Sequence, residues 1–177
     1  MSGPLNLEQL IYFLLETPMF GDLDESGLAQ IVHIMQVQKV RAGQLLFREG
    51  QPGDAWYVVY EGGVEVFKDD VDGERVVATL GPRSCVGEMA LLDGSSRSAS
   101  VRVTAPTTVL RFPRAEFAKL LQSENLAAYK LVHQMALVLV ARQRQTTSRL
   151  AQLLAANQSR LLREGIAPIV DEHAMTE

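Results

Sequence analysis

Between Val37 and Pro113 the chain is a succession of short extended runs, each closed by glycine, proline or acidic turn formers, and few folds accept such a pattern. The runs are Val37 to Arg41, Gln44 to Arg48, Ala55 to Tyr60, Val64 to Lys68, Arg75 to Leu80, Ala99 to Thr104 and Thr107 to Phe112. The separators are Ala42-Gly43, Glu49-Gly-Gln-Pro-Gly-Asp54, Gly62-Gly63, Asp69-Asp-Val-Asp-Gly73, Gly81-Pro82 and Ala105-Pro106, each able to turn the chain. Many short strands at even spacing predict an antiparallel barrel or jelly roll. Trp56 and Tyr57 lie in a Trp-Tyr-Val-Val-Tyr run, which reads as core packing rather than as a platform for stacking a base.

Helical periodicity flanks these strands. Asn6 with Gln9 has the spacing of a capping box, and Leu7, Leu10, Ile11 and Leu14 then share one helical face up to Thr17-Pro18. A second helix is expected from about Asp24, where Leu28, Ile31, Val32 and Met35 repeat the spacing. His33 lies beside that stripe and reads as structural or solvent-facing, since no second metal ligand recurs at a suitable distance. Pro113 to Leu121 reads as a short helix opened by its proline. A long helix is expected from Ser123 as cap to near Gly165, with Pro168 just beyond. In it Val132, Met135, Leu139, Arg142, Thr146, Leu150, Leu153 and Asn157 are spaced by about three and four alternately, a coiled-coil seam with a polar middle. Its first half is expected to pack on the barrel and the remainder to pair with a second chain. The fold class is α+β, an antiparallel jelly-roll-like β-roll with N-terminal helices and a long C-terminal helix. Its expected parts are residues 1–36, 37–122, 123–164 and a tail, 165–177.

The stretch from Gly81 to Val103 carries the chemistry. Gly87 lets the backbone approach a ligand closely, and Glu88 to Leu92 can make one short helical turn whose free N–H groups face an anion. Asp93-Gly94-Ser95-Ser96 stops that turn. Arg97 follows, a planar fork of donors suited to two phosphate oxygens, with the Ser98 hydroxyl beside it and an alternating strand of Ala99, Val101 and Val103 leading away. Such a hollow suits a ligand with one phosphate and one free hydroxyl: Arg97 takes the phosphate and ionised Glu88 accepts from the hydroxyl. A cyclic nucleotide carries this pair of groups. A bare surface pairing of Glu88 with Arg97 would leave the surrounding glycines and hydroxyls without a reason to cluster.

Gly87-Glu-Met-Ala-Leu-Leu followed by Arg97-Ser98-Ala99 resembles the phosphate-binding cassette of the cyclic-nucleotide-binding domain shared by bacterial catabolite activators, protein kinase A regulatory subunits and cyclic-nucleotide-gated channels. Glycines 43, 50, 53, 62 and 81 also resemble the turn glycines of that family's β-roll, so the likeness covers roughly residues 17 to 150. The resemblance implies a ligand site of Val86, Gly87, Glu88, Met89, Ala90, Arg97, Ser98 and Ala99, completed by Arg142 and Gln143 of the long helix as a lid over the base. Arg142 and Gln143 depart from the catabolite-activator pattern, which offers two hydroxyl residues to adenine there. Arg142 can only donate, to N7 or O6 of guanine or to N1 or N7 of adenine, or lie flat on either ring; Gln143 can donate and accept. Channel-type members use a long-helix arginine against the base and often favour cyclic AMP (cAMP), and members selective for cyclic GMP (cGMP) commonly have threonine where this chain has Ser98. The resemblance therefore implies cAMP, with a cGMP-selective sensor as the alternative.

Composition limits the remaining possibilities. At 177 residues and 47% hydrophobic, the chain can bury one sizeable core with an appendage. Its formal charge of −4 argues against a general nucleic-acid glove. The sign is unevenly spread: no Lys or Arg precedes Lys39, whereas Lys130, Arg142, Arg144, Arg149, Arg160 and Arg163 crowd the segment from Glu124 to Glu164. Cys85 stands alone, so no intrachain disulfide is possible and a reducing compartment is expected. With neither a signal-peptide pattern nor a run of transmembrane length, the expected location is cytoplasmic and off the membrane. His-Glu-x-x-His, Cys-x-x-Cys, Gly-x-Ser-x-Gly and Gly-x-x-x-x-Gly-Lys are all missing, and three scattered histidines hold no metal by sequence logic, so an enzyme, a metal and a cofactor are not expected. Catabolite activators follow the long helix with a helix-turn-helix domain, but only a short acidic tail follows Glu164, so direct DNA binding is not expected. The expectation is a homodimeric cyclic-nucleotide sensor acting through its C-terminal helix on an effector protein or a second chain. The competing class is a dimeric scaffold that no longer needs ligand; intact Glu88 and Arg97 favour the sensor, because buried charge is costly to keep without use.

Overall fold

The computed structural model describes residues 6–163, with side chains described as far as Arg160. Two compact units divide the chain, Met1–Ala136 and Leu137–Glu177. The first unit begins with helix α1 (Leu7–Leu15), whose first turn is capped by Asn6: its side chain accepts from the backbone N–H of Glu8 at 3.2 Å. Leu10 and Leu14 are its buried face. Pro18 ends α1 and opens a 3-10 turn, Pro18–Phe20, which buries Met19 and Phe20. Helix α2 (Glu25–Val32) is capped by Asp24, whose carboxylate accepts from the N–H of Gly27 at 2.7 Å. Leu28 and Ile31 are fully buried, and His33 closes the helix in an exposed position.

Eight strands follow, all paired antiparallel in two four-stranded sheets. They are β1 (Gln36–Val40), β2 (Leu45–Phe47), β3 (Ala55–Glu61), β4 (Val64–Asp70), β5 (Gly73–Leu80), β6 (Cys85–Val86), β7 (Ser100–Val103) and β8 (Thr107–Pro113). One sheet has the order β1-β8-β3-β6 and the other β2-β7-β4-β5. This is the β-roll expected from the punctuated runs, with helices before it and a long helix after it. Inward residues of both sheets, Phe47, Ala55, Tyr57, Val59, Val64, Val86, Val101, Val103 and Val109, form one core. The intervening residues of β3 are buried too, so Ala55 to Val59 show no polar face. Trp56 stacks on its cross-strand partner Phe112, ring centroids 4.2 Å apart, and Phe20 lies against both rings at 5.8 and 5.9 Å. A strand covered on both faces reads as a continuous apolar run, as this one does. Trp56 and Tyr57 are core residues.

Three sequence readings are corrected here. Strand β6 lies in the cradle stretch and is not among the extended runs read from the sequence. Pro113 completes β8 and caps helix α4 (Arg114–Gln122) instead of being its first helical residue. Ser123 ends α4 and does not start the long helix. Glu124 then takes the left-handed conformation at φ 56°, and the N–H groups of Glu124 and Asn125 bond to the carbonyls of Leu121 and Leu120, a Schellman ending that reverses the chain. Helix α5 (Leu126–Arg163) starts beyond it, with the Asn125 side chain accepting from the N–H of Ala128 at 3.1 Å. Within the first unit α5 buries Ala127, Ala128, Leu131 and Met135. The part of α5 in the second unit is exposed throughout residues 141–160 and presents Leu150, Leu153 and Leu154 to solvent. Gly165 and Pro168 lie outside the described residues.

Candidate functional site

The cradle is built on the end of β3. Strand β6 pairs with it, Val86 opposite Tyr57 and Cys85 opposite Val58, and both β6 residues are buried. Gly87 follows at φ +83°, a conformation L side chains rarely adopt, and releases the chain into helix α3 (Glu88–Asp93). Glu88 and Ala90 are buried at 3% exposure, whereas Met89 is 47% exposed. The carboxylate of Asp93 accepts from the backbone N–H and the hydroxyl of Ser95 at 2.9 and 2.7 Å, closing the turn. Those two bonds hold the Asp93 pKa below the usual carboxylate value.

Arg97 enters this cradle from the loop before β7 and is 3% exposed. Its backbone is fixed first: the N–H donates to the carbonyl of Gln51 at 2.8 Å, and the carbonyl accepts from Gly50 at 2.9 Å. The guanidinium then reaches under Gly87. Nη1 donates to the Gly87 carbonyl at 2.9 Å, and Nη2 donates to the Ala55 carbonyl at 2.5 Å and to Oδ1 of Asp54 at 3.1 Å. The Phe47 ring lies 4.1 Å from Cζ, a cation–π contact. Among the described residues Nε is buried without a hydrogen-bond partner. Of five guanidinium donors, three are thus engaged by the protein. The packing demands glycine: a Cβ on Gly87 would stand 2.4 Å from Nη1, and one on Gly53 would stand 2.5 Å from the Cβ of Ala90.

The ion pair of Arg97 is therefore with Asp54, a residue the sequence reading treated as part of a turn. Asp54 opens β3, its carbonyl accepting from the N–H of Arg114 at 2.8 Å, and its second oxygen accepts from Nη2 of Arg111 at 2.8 Å. Arg111 also donates to Gln36 of β1 at 2.9 Å. Burial works against ionisation of Asp54, but the hydrogen bond and charge of Arg111, then a backbone hydrogen bond and the charge of Arg97, hold its pKa below the usual carboxylate value. Two guanidinium groups thus share the Asp54 carboxylate.

The sequence-predicted residues Val86, Gly87, Glu88, Met89, Ala90, Arg97, Ser98 and Ala99 come together around this cradle. The Ser98 hydroxyl is exposed and lies 3.9 Å from the sulfur of Met89, and Ala99 is half-buried. Arg142 and Gln143 are exposed residues of the second unit. Among the described residues no group of three or more His, Cys, Asp and Glu side chains is placed to hold a metal, and no helix is long and apolar enough to cross a membrane.

The family model described as "Cyclic nucleotide-binding domain" matches residues 37–124, from the first strand to just past α4. A cyclic AMP receptor protein of Thermus thermophilus is 31% identical over 163 residues, which cover 86% of this chain and 73% of that protein. A cAMP-dependent protein kinase regulatory subunit of Yarrowia lipolytica is 34% identical over 115 residues, 65% of this chain; the chain spans only 30% of that relative's length. Among solved structures, the regulatory domain of Toxoplasma gondii protein kinase A, crystallised with cAMP, superposes with a TM-score of 0.60 at 34% identity over 63% of this chain and 43% of that one. With its β-roll, its glycine-gated cradle and these relatives in agreement, the chain belongs to the cyclic nucleotide-binding domain family.

Proposed function

We propose that this chain is a cytoplasmic cyclic-mononucleotide sensor that prefers cAMP to cGMP, binds it without altering it, and relays occupancy through α5 to a second copy or a partner protein. The observation that carries the reading is Arg97. A guanidinium 3% exposed, fixed by two backbone carbonyls and one shared carboxylate and still holding an unpartnered buried Nε, is preorganised for a monoanionic phosphate. Buried Glu88, when ionised, takes the ribose 2′-hydroxyl as acceptor. Gly87, with no Cβ, lets the Arg97 guanidinium pack directly against the cradle backbone. Arg142 and Gln143 are assigned to the base on the family resemblance. The exposed leucines 150, 153 and 154 on a helix with no acidic residue support pairing with a second copy through an apolar stripe. Calorimetric titration of the purified chain with cAMP, cGMP and a cyclic dinucleotide tests the reading. Expected are saturable binding of cAMP at one site per chain, weaker binding of cGMP, and none of the dinucleotide. No heat of binding with any of them would leave the ligand-independent dimeric scaffold in its place.

A further inference from the structure

We propose that Arg111 is a positioning residue for the phosphate-binding guanidinium of Arg97, acting through Asp54. The inference rests on the reading of Arg97 as the phosphate ligand. Asp54 is a forked bridge: Oδ1 accepts from Arg97 at 3.1 Å and Oδ2 from Arg111 at 2.8 Å. Its side chain is 62% exposed, so its own packing does little to fix the direction of the carboxylate. Arg111 fixes it instead. This residue sits in the middle of β8, opposite Gln36 of β1 and Tyr57 of β3, with its side chain only 19% exposed. One amino group is anchored on Gln36 and the other reaches Asp54.

The charge count gives this geometry its consequence. With Arg111 present, two cations share the Asp54 carboxylate, so Asp54 offsets less of the Arg97 charge and leaves more of it for a phosphate. Without Arg111, Asp54 is free to turn both oxygens toward Arg97, as carboxylates do with a guanidinium fork. That pair would neutralise itself and occupy further donors. Arg111 lies outside the cassette motif in sequence; its side chain reaches Arg97 through the Asp54 carboxylate and also hydrogen-bonds Tyr57.

The test is a double-mutant cycle read by calorimetric titration with cAMP on the full chain: wild type, Arg111→Ala, Asp54→Asn and the double variant. Arg111→Ala is expected to weaken cAMP binding about tenfold, a coupling ordinary for groups in one ion-pair network, and to change affinity less than about twofold once Asp54 is already Asn. Arg111→Lys, which keeps the charge and a donor, should recover most of the loss. A purely structural Arg111 would lower the urea midpoint equally in both backgrounds and leave affinity alone. Binding by Arg111→Ala within twofold of wild type, or the same loss with and without the Asp54 carboxylate, overturns the inference. Should Arg111→Ala fail to fold, Arg111→Gln takes its place in the cycle with the same two outcomes. A wild type that binds no cAMP, or an Arg97→Ala variant that binds it as well as wild type, overturns the phosphate reading and the inference with it. Weakening by Arg97→Ala alone overturns only the role of Arg111.

Discussion

Replacing Gly87 with Ala probes the cradle at its tightest point. The added Cβ would lie 2.4 Å from Nη1 of Arg97 and 3.3 Å from both its Cζ and the Cε1 of Phe47. At φ +83° the backbone is also one that an L side chain adopts at a cost of about 1–2 kcal/mol. Arg97 is pinned by the carbonyls of Gly87 and Ala55 and by the Phe47 ring, so it can give way only by breaking a charge-assisted hydrogen bond, worth about 1.5–3 kcal/mol. Together these place the loss of stability at roughly 3 kcal/mol or more. Gly43 supplies the control, since it has φ +81° but nothing within 4 Å of a built Cβ. Gly43→Ala should therefore show the backbone cost of about 1–2 kcal/mol alone. Urea unfolding followed by fluorescence of the single tryptophan, Trp56, reports the difference, because that ring is fully buried and stacked on Phe112. In the same proteins cAMP affinity should fall about tenfold or more for Gly87→Ala, the equivalent of 1.4 kcal/mol, and stay at wild-type level for Gly43→Ala. Equal stability and equal affinity of the two variants would refute the argument that the Gly87 backbone and the Arg97 guanidinium are packed as one unit.

The remaining expectations concern charge, assembly and the base. Because the Asp54 pKa is lowered in the folded chain, its stabilising contribution is present above the unfolded carboxylate range and is lost as pH falls through the folded value. The urea midpoint of wild type should thus drop more steeply below about pH 4 than that of Asp54→Asn, and parallel profiles would contradict this. Leu150 and Leu153, 56% and 68% exposed in the single chain, should be covered in a two-fold dimer. Sedimentation is expected to give a dimer at micromolar concentration and a monomer for Leu153→Asp; a wild-type monomer with and without nucleotide would sink the assembly. Arg142→Ala should lower nucleotide affinity by about 1–3 kcal/mol, the scale of one charged contact, with an unchanged urea midpoint. Unchanged affinity for both cAMP and cGMP would remove Arg142 from the base site.

Much of this fold could be read from the chain because its strands alternate and its turns carry glycine and proline at the reversals. The failures have local causes. Cys85-Val86 is too short to show any period, and it becomes a strand only because β3 offers it an edge. The start of α5 was misplaced because the left-handed residue that separates it from α4 is Glu124, where glycine would have marked the break, and because Ser123 and Asn125 are equally good caps by residue type. At the site, Gly87, Glu88 and Arg97 were legible because one short stretch carries them all. Asp54 and Arg111 were not, since 57 positions separate them and only the β3–β8 ladder brings them together. A single Asp in a turn and a single Arg in an apolar strand carry no periodic or motif signal by themselves. The fully buried Arg97 could likewise be placed near a phosphate by its motif, but its carbonyl clamp on Gly87 and Ala55 exists only in the folded chain.

Phosphate binding by Arg97 is tested most directly by titration of Arg97→Ala with cAMP beside the wild type. A phosphate brought into the cradle without its charge partner should cost roughly 3 kcal/mol or more, at least about a hundredfold in affinity. That loss must appear in a variant whose Trp56 fluorescence and urea transition show it to be folded. A folded Arg97→Ala protein that binds cAMP within about threefold of wild type, a difference well under 1.4 kcal/mol, would contradict the central claim.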